Sequence, residues 1–283
     1  MNSEALVQLK HFGFLAIEGR DSEKFLQGYT TCDLATLGSE AATRGAICNI
    51  KGRMLSNFLA RRTEQGFVLR MHKDLIEPTL KFLGKYIVFS KAEMKNQSHQ
   101  LFCYGLNEQA LTANKVDLPQ ASSQLTELEN GQLIRTGEQR LELWSNTELE
   151  ATGSLQDWLI AELESGIVWV DPQTSEEYIP QMYNLHNIEG ISFEKGCYLG
   201  QEIVARMQYR GELKKRLHIA ELSADHQNEA SEVGAKVVND SGKNLGNVVA
   251  RSANSVALVI KAEEAFYQLE DGTALRPKEV AES

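Results

Sequence analysis

The sequence predicts an α+β fold that ends in a small antiparallel barrel or sandwich. Three observations carry that expectation. The first fifty residues alternate strand, helix and strand signals; a helix-capping signal stands at Ser154; and from Leu217 onward short β-rich runs are broken by polar turns. With 283 residues, 42% of them hydrophobic and 24% charged, the chain can bury a core without disulfide staples and divide into one large or two to three modest domains.

The apolar run Phe14-Leu15-Ala16-Ile17 reads as a strand, and Asp21 as the cap of a helix that passes through Phe25 and Leu26 and ends at Gly28. After Ala46 to Ile50 the triplet Lys51-Gly52-Arg53 breaks the pattern as a turn. Met54 to Ala60 and Phe67 to Met71 then read as paired strands around Glu64-Gln65-Gly66. Leu75, Leu80, Leu83 and Ile87 fall near helical spacing, with Pro78 tolerable only in a first turn. Residues 112 to 131 are polar and aperiodic, which suits a loop or a surface helix. Ser154-Leu155-Gln156-Asp157 fits a capping box ahead of a stripe of Leu155, Trp158, Leu159 and Leu163 that stops at Gly166. The tail is expected to form strands at Leu217 to Leu222, Ala235 to Val238, Asn247 to Ala250 and Val256 to Ile260.

The formal net charge of -10 sets the whole molecule against phosphate backbones, so general nucleic-acid binding is disfavoured. The four cysteines, Cys32, Cys48, Cys103 and Cys197, are far apart and form no CxxC pair or Cys/His cluster, so no structural metal site and no disulfide framework is expected. No apolar run approaches the roughly 20 residues that cross a bilayer, and Met1-Asn2-Ser3-Glu4-Ala5 lacks the order of a signal peptide; a reducing cytoplasm is the expected location, with no membrane partner. The segments that mark P-loop, dinucleotide, GxSxG and HExxH sites are absent.

Chemistry concentrates at Lys195-Gly196-Cys197-Tyr198-Leu199-Gly200-Gln201-Glu202. Cys197 follows Lys195 by two residues and precedes text with the composition of a helix start, and both a cation and a helix N-terminus favour a thiolate. The competing reading is a small buried residue, since free cysteine is among the most buried types. Gly196 and Gly200 fit either positive φ beside a ligand or turn punctuation. Downstream, Arg206, Arg210, Lys214, Lys215 and Arg216 crowd one stretch, which reads as a polyanion-binding patch or as a solvated face. Phe12, Trp158 and Trp169 are candidate platforms for a flat heterocycle, although a Trp on a helical stripe is more often core.

The same octapeptide resembles the signature of the YgfZ family, folate-binding relatives of the glycine-cleavage aminomethyltransferase. Phe25-Leu26-Gln27-Gly28 with Thr31 and Asp33, Lys51-Gly52-Arg53-Met54, Lys85-Tyr86 with Phe89-Ser90-Lys91, Ile179-Pro180-Gln181, Asn184-Leu185 and Gly190-Ile191-Ser192-Phe193 resemble family text in the family's order. The resemblance implies an aminomethyltransferase-like fold: two interlocked α+β subdomains around a central cavity over residues 1–205, then a C-terminal antiparallel β-barrel over 206–283. It implies tetrahydrofolate as the cofactor, Cys197 as a functional thiol beside Lys195, and Phe12 and Trp158 at folate, with Phe12 standing where relatives carry tryptophan. The implied partners are iron-sulfur client enzymes such as tRNA methylthiotransferases, so that contact with tRNA is indirect. The implied role is support for assembly or repair of iron-sulfur enzymes and, through them, tRNA modification.

The alternative is a tetrahydrofolate-dependent one-carbon transferase or demethylase acting on a small amine. Transferases of the related branch carry an acidic pair where this chain has Ser56-Asn57, and neither residue supplies a carboxylate for amine chemistry. Aminomethyl transfer is therefore not expected.

Overall fold

A computed structural model of the chain describes residues 6–108, 118–223, 232–261 and 267–278. Two five-stranded antiparallel sheets and a closed six-stranded barrel share the molecule. The first sheet has the order β3 (Ala42–Cys48), β4 (Met54–Arg62), β5 (Gly66–His72), β2 (Phe12–Glu18), β6 (Glu93–Asn96). The second runs β1 (Leu6–Gln8), β7 (Phe102–Asn107), β10 (Arg140–Ser145), β9 (Gly131–Arg135), β8 (Leu125–Leu128).

Period-two alternation sends neighbouring residues of the first sheet into different cores. Leu15, Ile17, Phe67, Leu69 and Met71 pack with α1 (Ser22–Gln27) and α2 (Ile76–Leu83), whereas Phe12, Phe14, Ala16 and Val68 face the second sheet. The opposing sheet contributes Cys103, Ile134 and Trp144 to that shared layer, and it turns Leu133, Leu141 and Leu143 outward onto a separate cluster. Both faces of both sheets are thereby covered.

The barrel closes in the order β11 (Arg216–Leu222), β14 (Ser255–Ile260), β13 (Asn244–Ser252), β12 (Lys236–Val238), β15 (Tyr267–Leu269), β16 (Ala274–Lys278). Val256, Leu258 and Ile260 fill its interior, while Ala257 and Val259 point out to join Leu163, Val168, Tyr183 and Val204. The barrel wall is therefore one side of a core that also holds α3 (Leu155–Glu164) and α4 (Gln201–Tyr209).

Most elements expected from pattern are present, and the differences have local causes. Asp21 stands at the N-cap of α1 but makes no side-chain cap bond; its carboxylate instead accepts from the Lys91 amide at 2.8 Å, tying the helix start to the edge of β6. Pro78 lies in the first turn of α2, where its missing N–H costs nothing. Ser154 accepts from the Asp157 amide at 3.2 Å, as a capping residue should. The expected loop or surface helix at 112–131 is corrected in part: 112–117 lie outside the described residues, while Leu125–Leu128 is a strand whose side chains alternate too briefly to show periodicity. Among the described residues no helix is long and apolar enough to cross a membrane, and no group of three or more His, Cys, Asp or Glu is placed to hold a metal ion.

Candidate functional site

Two places gather chemistry. The first is a buried layer of charge between the two sheets. Arg44 pairs across to Leu59, Leu59 to Arg70, and Arg70 to Phe14, so the two arginines share one face and one row of the first sheet. On the opposing sheet Glu142 pairs with Gly105, and the missing side chain of Gly105 admits the Trp158 ring: a Cβ there would lie 2.5 Å from Trp158 Cε3. Trp158 and Glu162 are one turn apart on α3 and enter the layer together.

Arg70 and Glu142 form a fully enclosed pair, with Arg70 Nε donating to Glu142 Oε2 at 3.1 Å and a second contact beside it. Glu142 also accepts from Trp144 Nε1 at 3.0 Å. The Arg70 guanidinium lies 3.8 Å from the centroid of Phe12 and 3.9 Å from that of Trp169. Trp169 Nε1 donates in turn to Glu162 Oε1 at 3.0 Å. Burial raises the Glu162 carboxyl above its ordinary range and pushes Arg44 down to about 10. Three arginines against two carboxylates leave the layer with a surplus positive charge. Several donors within it have no partner: Nη1 of Arg44, Arg70 and Arg140, and Nε1 of Trp158; both ring nitrogens of His11 are also unpaired. Unpaired buried polar groups are costly, and their concentration in one layer marks a place that suits a ligand rich in acceptors.

Phe12 and Trp158, expected as stacking platforms, both border this layer and both are buried. One face of Phe12 is already occupied by Arg70. The arginines and glutamates were not singled out from sequence, yet a signal existed: Arg70 and Glu142 are lone charges inside otherwise apolar strands, Phe67-Val68-Leu69-Arg70-Met71 and Leu141-Glu142-Leu143-Trp144. A charge at such a position is buried opposite a counter-charge or a ligand.

The second place is the loop ahead of α4. Lys195 is buried, and its ammonium donates to the carbonyls of Thr30 and Cys32, each at 2.7 Å. Desolvation is the main reason that its pKa falls to about 8. Leu199 N–H donates to the Gly28 carbonyl at 3.0 Å, and Tyr198 is buried beneath the loop. Between these anchors the Cys197 thiol is exposed, whereas Cys32, Cys48 and Cys103 are buried, and burial pushes the Cys32 thiol up to about 12. The cation expected to sit by the thiol is thus committed to backbone carbonyls. Of the two glycines, Gly200 has φ +85° and a Cβ there would lie 2.5 Å from the Asn49 carbonyl oxygen, while a Cβ at Gly196 would meet nothing within 4 Å.

Other sequence-derived residues fall elsewhere. Ser56 is buried 3.4 Å from the Thr79 hydroxyl, and Asn57 donates to the Val168 carbonyl at 2.8 Å and accepts from the Val170 amide at 2.7 Å. Asn57 therefore clips β4 to the segment after α3, and no carboxylate stands there. Arg53 is spent on the Glu177 carbonyl, whereas Lys51, Arg206, Arg210 and Lys214 are exposed.

No protein-family model matches the chain. The tRNA-modifying protein YgfZ of Colwellia psychrerythraea is 31% identical over 272 residues, 91% of this chain and 84% of that protein. The tRNA-modifying protein YgfZ of Escherichia coli is 32% identical over 262 residues, 87% of this chain and 80% of that protein. Among solved structures, the glycine cleavage system aminomethyltransferase T of Bartonella henselae superposes with a TM-score of 0.75 at 14% identity, covering 99% of this chain and 87% of that one. That likeness gives the aminomethyltransferase fold, and the barrel after α4 agrees with it. The identities over nearly the whole chain place this protein in the YgfZ family.

Proposed function

We propose that the chain is a folate-binding accessory protein that supports assembly or repair of iron-sulfur enzymes and, through them, the methylthiolation of tRNA, with Cys197 as its working thiol. The observation that carries this reading is the exposed Cys197 held between two anchored neighbours, Lys195 and Leu199. A thiol fixed at the surface on a pinned loop can meet a cluster, a persulfide or a partner without the loop first ordering. Membership in a family whose curated relatives are named tRNA-modifying proteins supports the setting.

Two features of the buried layer support tetrahydrofolate as the ligand of this reading. Its flat ring matches the aromatic groups Phe12, Trp158 and Trp169, and its ring heteroatoms are acceptors for the unpaired N–H groups of Arg44, Arg70, Arg140 and Trp158. Glu162 carries the carboxylate oxygen suited to the ring's own N–H groups. Bound there, folate would supply a one-carbon carrier. The residues of the chain orient it and exclude water. Aminomethyl transfer is not part of this reading, because Asn57 spends its amide on the backbone of residues 168 and 170. Residues 1–205 are taken as the folate-binding core and 206–283 as the barrel domain. The setting is taken as cytoplasmic, with tRNA contacted by the client enzyme rather than by this chain.

Calorimetric titration of tetrahydrofolate into the wild type and Cys197→Ala, paired with the level of methylthiolated tRNA in cells carrying each, tests the proposal. Equal folate binding with lost methylthiolation is expected. Full methylthiolation in Cys197→Ala would retire the thiol, and no heat of binding with either protein would retire the cofactor.

A further inference from the structure

Trp169 meets both signs of charge in the buried layer. Its ring covers the Arg70 guanidinium at 3.9 Å, and its Nε1 donates to Glu162 Oε1 at 3.0 Å. Phe12 meets the indole edge-on at 5.3 Å and lies over Arg70 at 3.8 Å. Arg70 commits Nε and Nη2 to Glu142, and its Nη1 is left without a partner. The place of the indole therefore decides where that free N–H edge stands and how the Glu162 carboxylate is turned.

Residues 167–170, which carry Trp169, belong to no helix or strand. The chain nevertheless alternates there: Val168 and Val170 join the core against the barrel wall, while Trp169 turns the other way into the layer between the sheets. A slip of one residue would exchange those faces. Asn57 opposes the slip. Its Nδ2 donates to the Val168 carbonyl at 2.8 Å, and its Oδ1 accepts from the Val170 amide at 2.7 Å. The two bonds straddle Trp169, and a side chain thus makes the pair of bonds that a neighbouring strand would otherwise make. Asn57 is buried, so water does not compete for either bond. Its neighbour Ser56 faces α2 at Thr79 and takes no part in the clamp.

We infer that Asn57 is a positioning residue of the ligand layer: by clamping Val168 and Val170 it sets the Trp169 indole, and through the indole the free edge of Arg70 and the carboxylate of Glu162. The identity of the ligand, tetrahydrofolate, rests on the function proposed above. The clamp requires an amide. A carboxylate of the same shape would still accept from Val170 but would set an anionic oxygen against the Val168 carbonyl, and an apolar side chain would leave both backbone groups unpaired.

The test labels the full chain with fluorotryptophan, which gives one fluorine resonance for each of its three tryptophans, and compares Asn57→Asp, Asn57→Ala and the control Ser56→Ala. Loss of a resonance in Trp169→Ala assigns that of Trp169. With no ligand present it should shift or broaden in both Asn57 variants, by more than the Trp144 resonance, and keep its place in Ser56→Ala. Calorimetric titration should show tetrahydrofolate binding weakened about tenfold by either Asn57 variant, the size expected when one aromatic contact is displaced. In the Trp169→Ala background no indole remains to be placed, so adding Asn57→Asp should change the affinity by less than about twofold. Thermal unfolding shows which variants fold, and Asn57→Ala, which brings no repelled charge, carries the comparison if Asn57→Asp does not. A Trp169 resonance indifferent to the Asn57 variants, or an affinity loss equal with and without the indole, overturns the proposal. The two readings fail separately: absence of binding heat in the wild type removes the cofactor while a resonance that answers to Asn57 keeps the clamp, and normal binding with an indifferent resonance keeps the cofactor and removes the clamp.

Discussion

Arg70 and Glu142, on strands of different sheets, close on each other with both side chains sealed from water, and Arg70 is clamped between the rings of Phe12 and Trp169. Removing one member of such a pair leaves the other charged and buried. Arg70→Ala should therefore cost about 3 to 5 kcal/mol, while the double variant Arg70→Met with Glu142→Leu should recover most of that loss. Urea unfolding of the three proteins measures it. If the double variant is as unstable as the single one, the pair is not the source of the cost. The double variant should also lose tetrahydrofolate binding, because the layer's donors and acceptors go with it.

Lys195 tests the anchor of the signature loop. Lys195→Met keeps much of the stem but leaves the carbonyls of Thr30 and Cys32 without their donor. Each unsatisfied buried acceptor costs about 1 to 3 kcal/mol, so the Tm should drop by about 5 °C or more. Cys197→Ala, exposed and outside those bonds, should leave Tm within about 1 °C of the wild type. Equal drops in the two variants would mean that the anchoring is not where these bonds place it.

The two glycines of the same loop should separate sharply. Gly200→Ala puts a side chain at φ +85° and 2.5 Å from the Asn49 carbonyl, and should cost about 2 kcal/mol or more. Gly196→Ala faces open space and should stay within about 0.5 kcal/mol of the wild type. Comparable losses, read from denaturant midpoints, would contradict the close approach of α4 to the turn at Asn49.

His11 sets a pH dependence. Burial first, then the charges of Arg70, His72 and Lys73, hold its pKa down from 6.5 to about 3. As pH falls through about 6.5 the unfolded chain takes up a proton on His11, while the folded chain does so only near pH 3. The unfolded state holds more protons in that window, so stability falls with pH, by roughly 3 to 5 kcal/mol once the window is crossed. His11→Phe removes that contribution, and its unfolding midpoint should lose less than that of the wild type between pH 7 and pH 4. Parallel losses would show that His11 is not the titrating group.

Much of the local architecture is legible in the chain. Ser154 and the stripe through Trp158 and Leu163 announce α3, and the short apolar runs Phe67 to Met71 and Val256 to Ile260 announce one strand of the first sheet and one of the barrel. Strands such as β1 and β8 were not legible, because three or four residues are too few for a period-two pattern to rise above chance. The signature loop was legible as text, but the partner of Lys195 was not. A lysine two residues from a cysteine reads as a neighbour of its thiol, and only long-range packing turns it toward carbonyls more than 160 positions away.

By itself the sequence determined the α+β content, the barrel-forming tail and, through identity over most of its length, the family. The tertiary structure alone decided that Arg44, Arg70, Arg140, Glu142 and Glu162 meet in one layer, and that Lys195 is buried while Cys197 beside it is exposed. The reason is physical. Secondary structure follows from spacings within a few residues, which a sequence displays directly. Burial of a charge and exposure of an apolar side chain depend on which distant strands and turns come to lie against each other, and that is set by the packing of whole sheets.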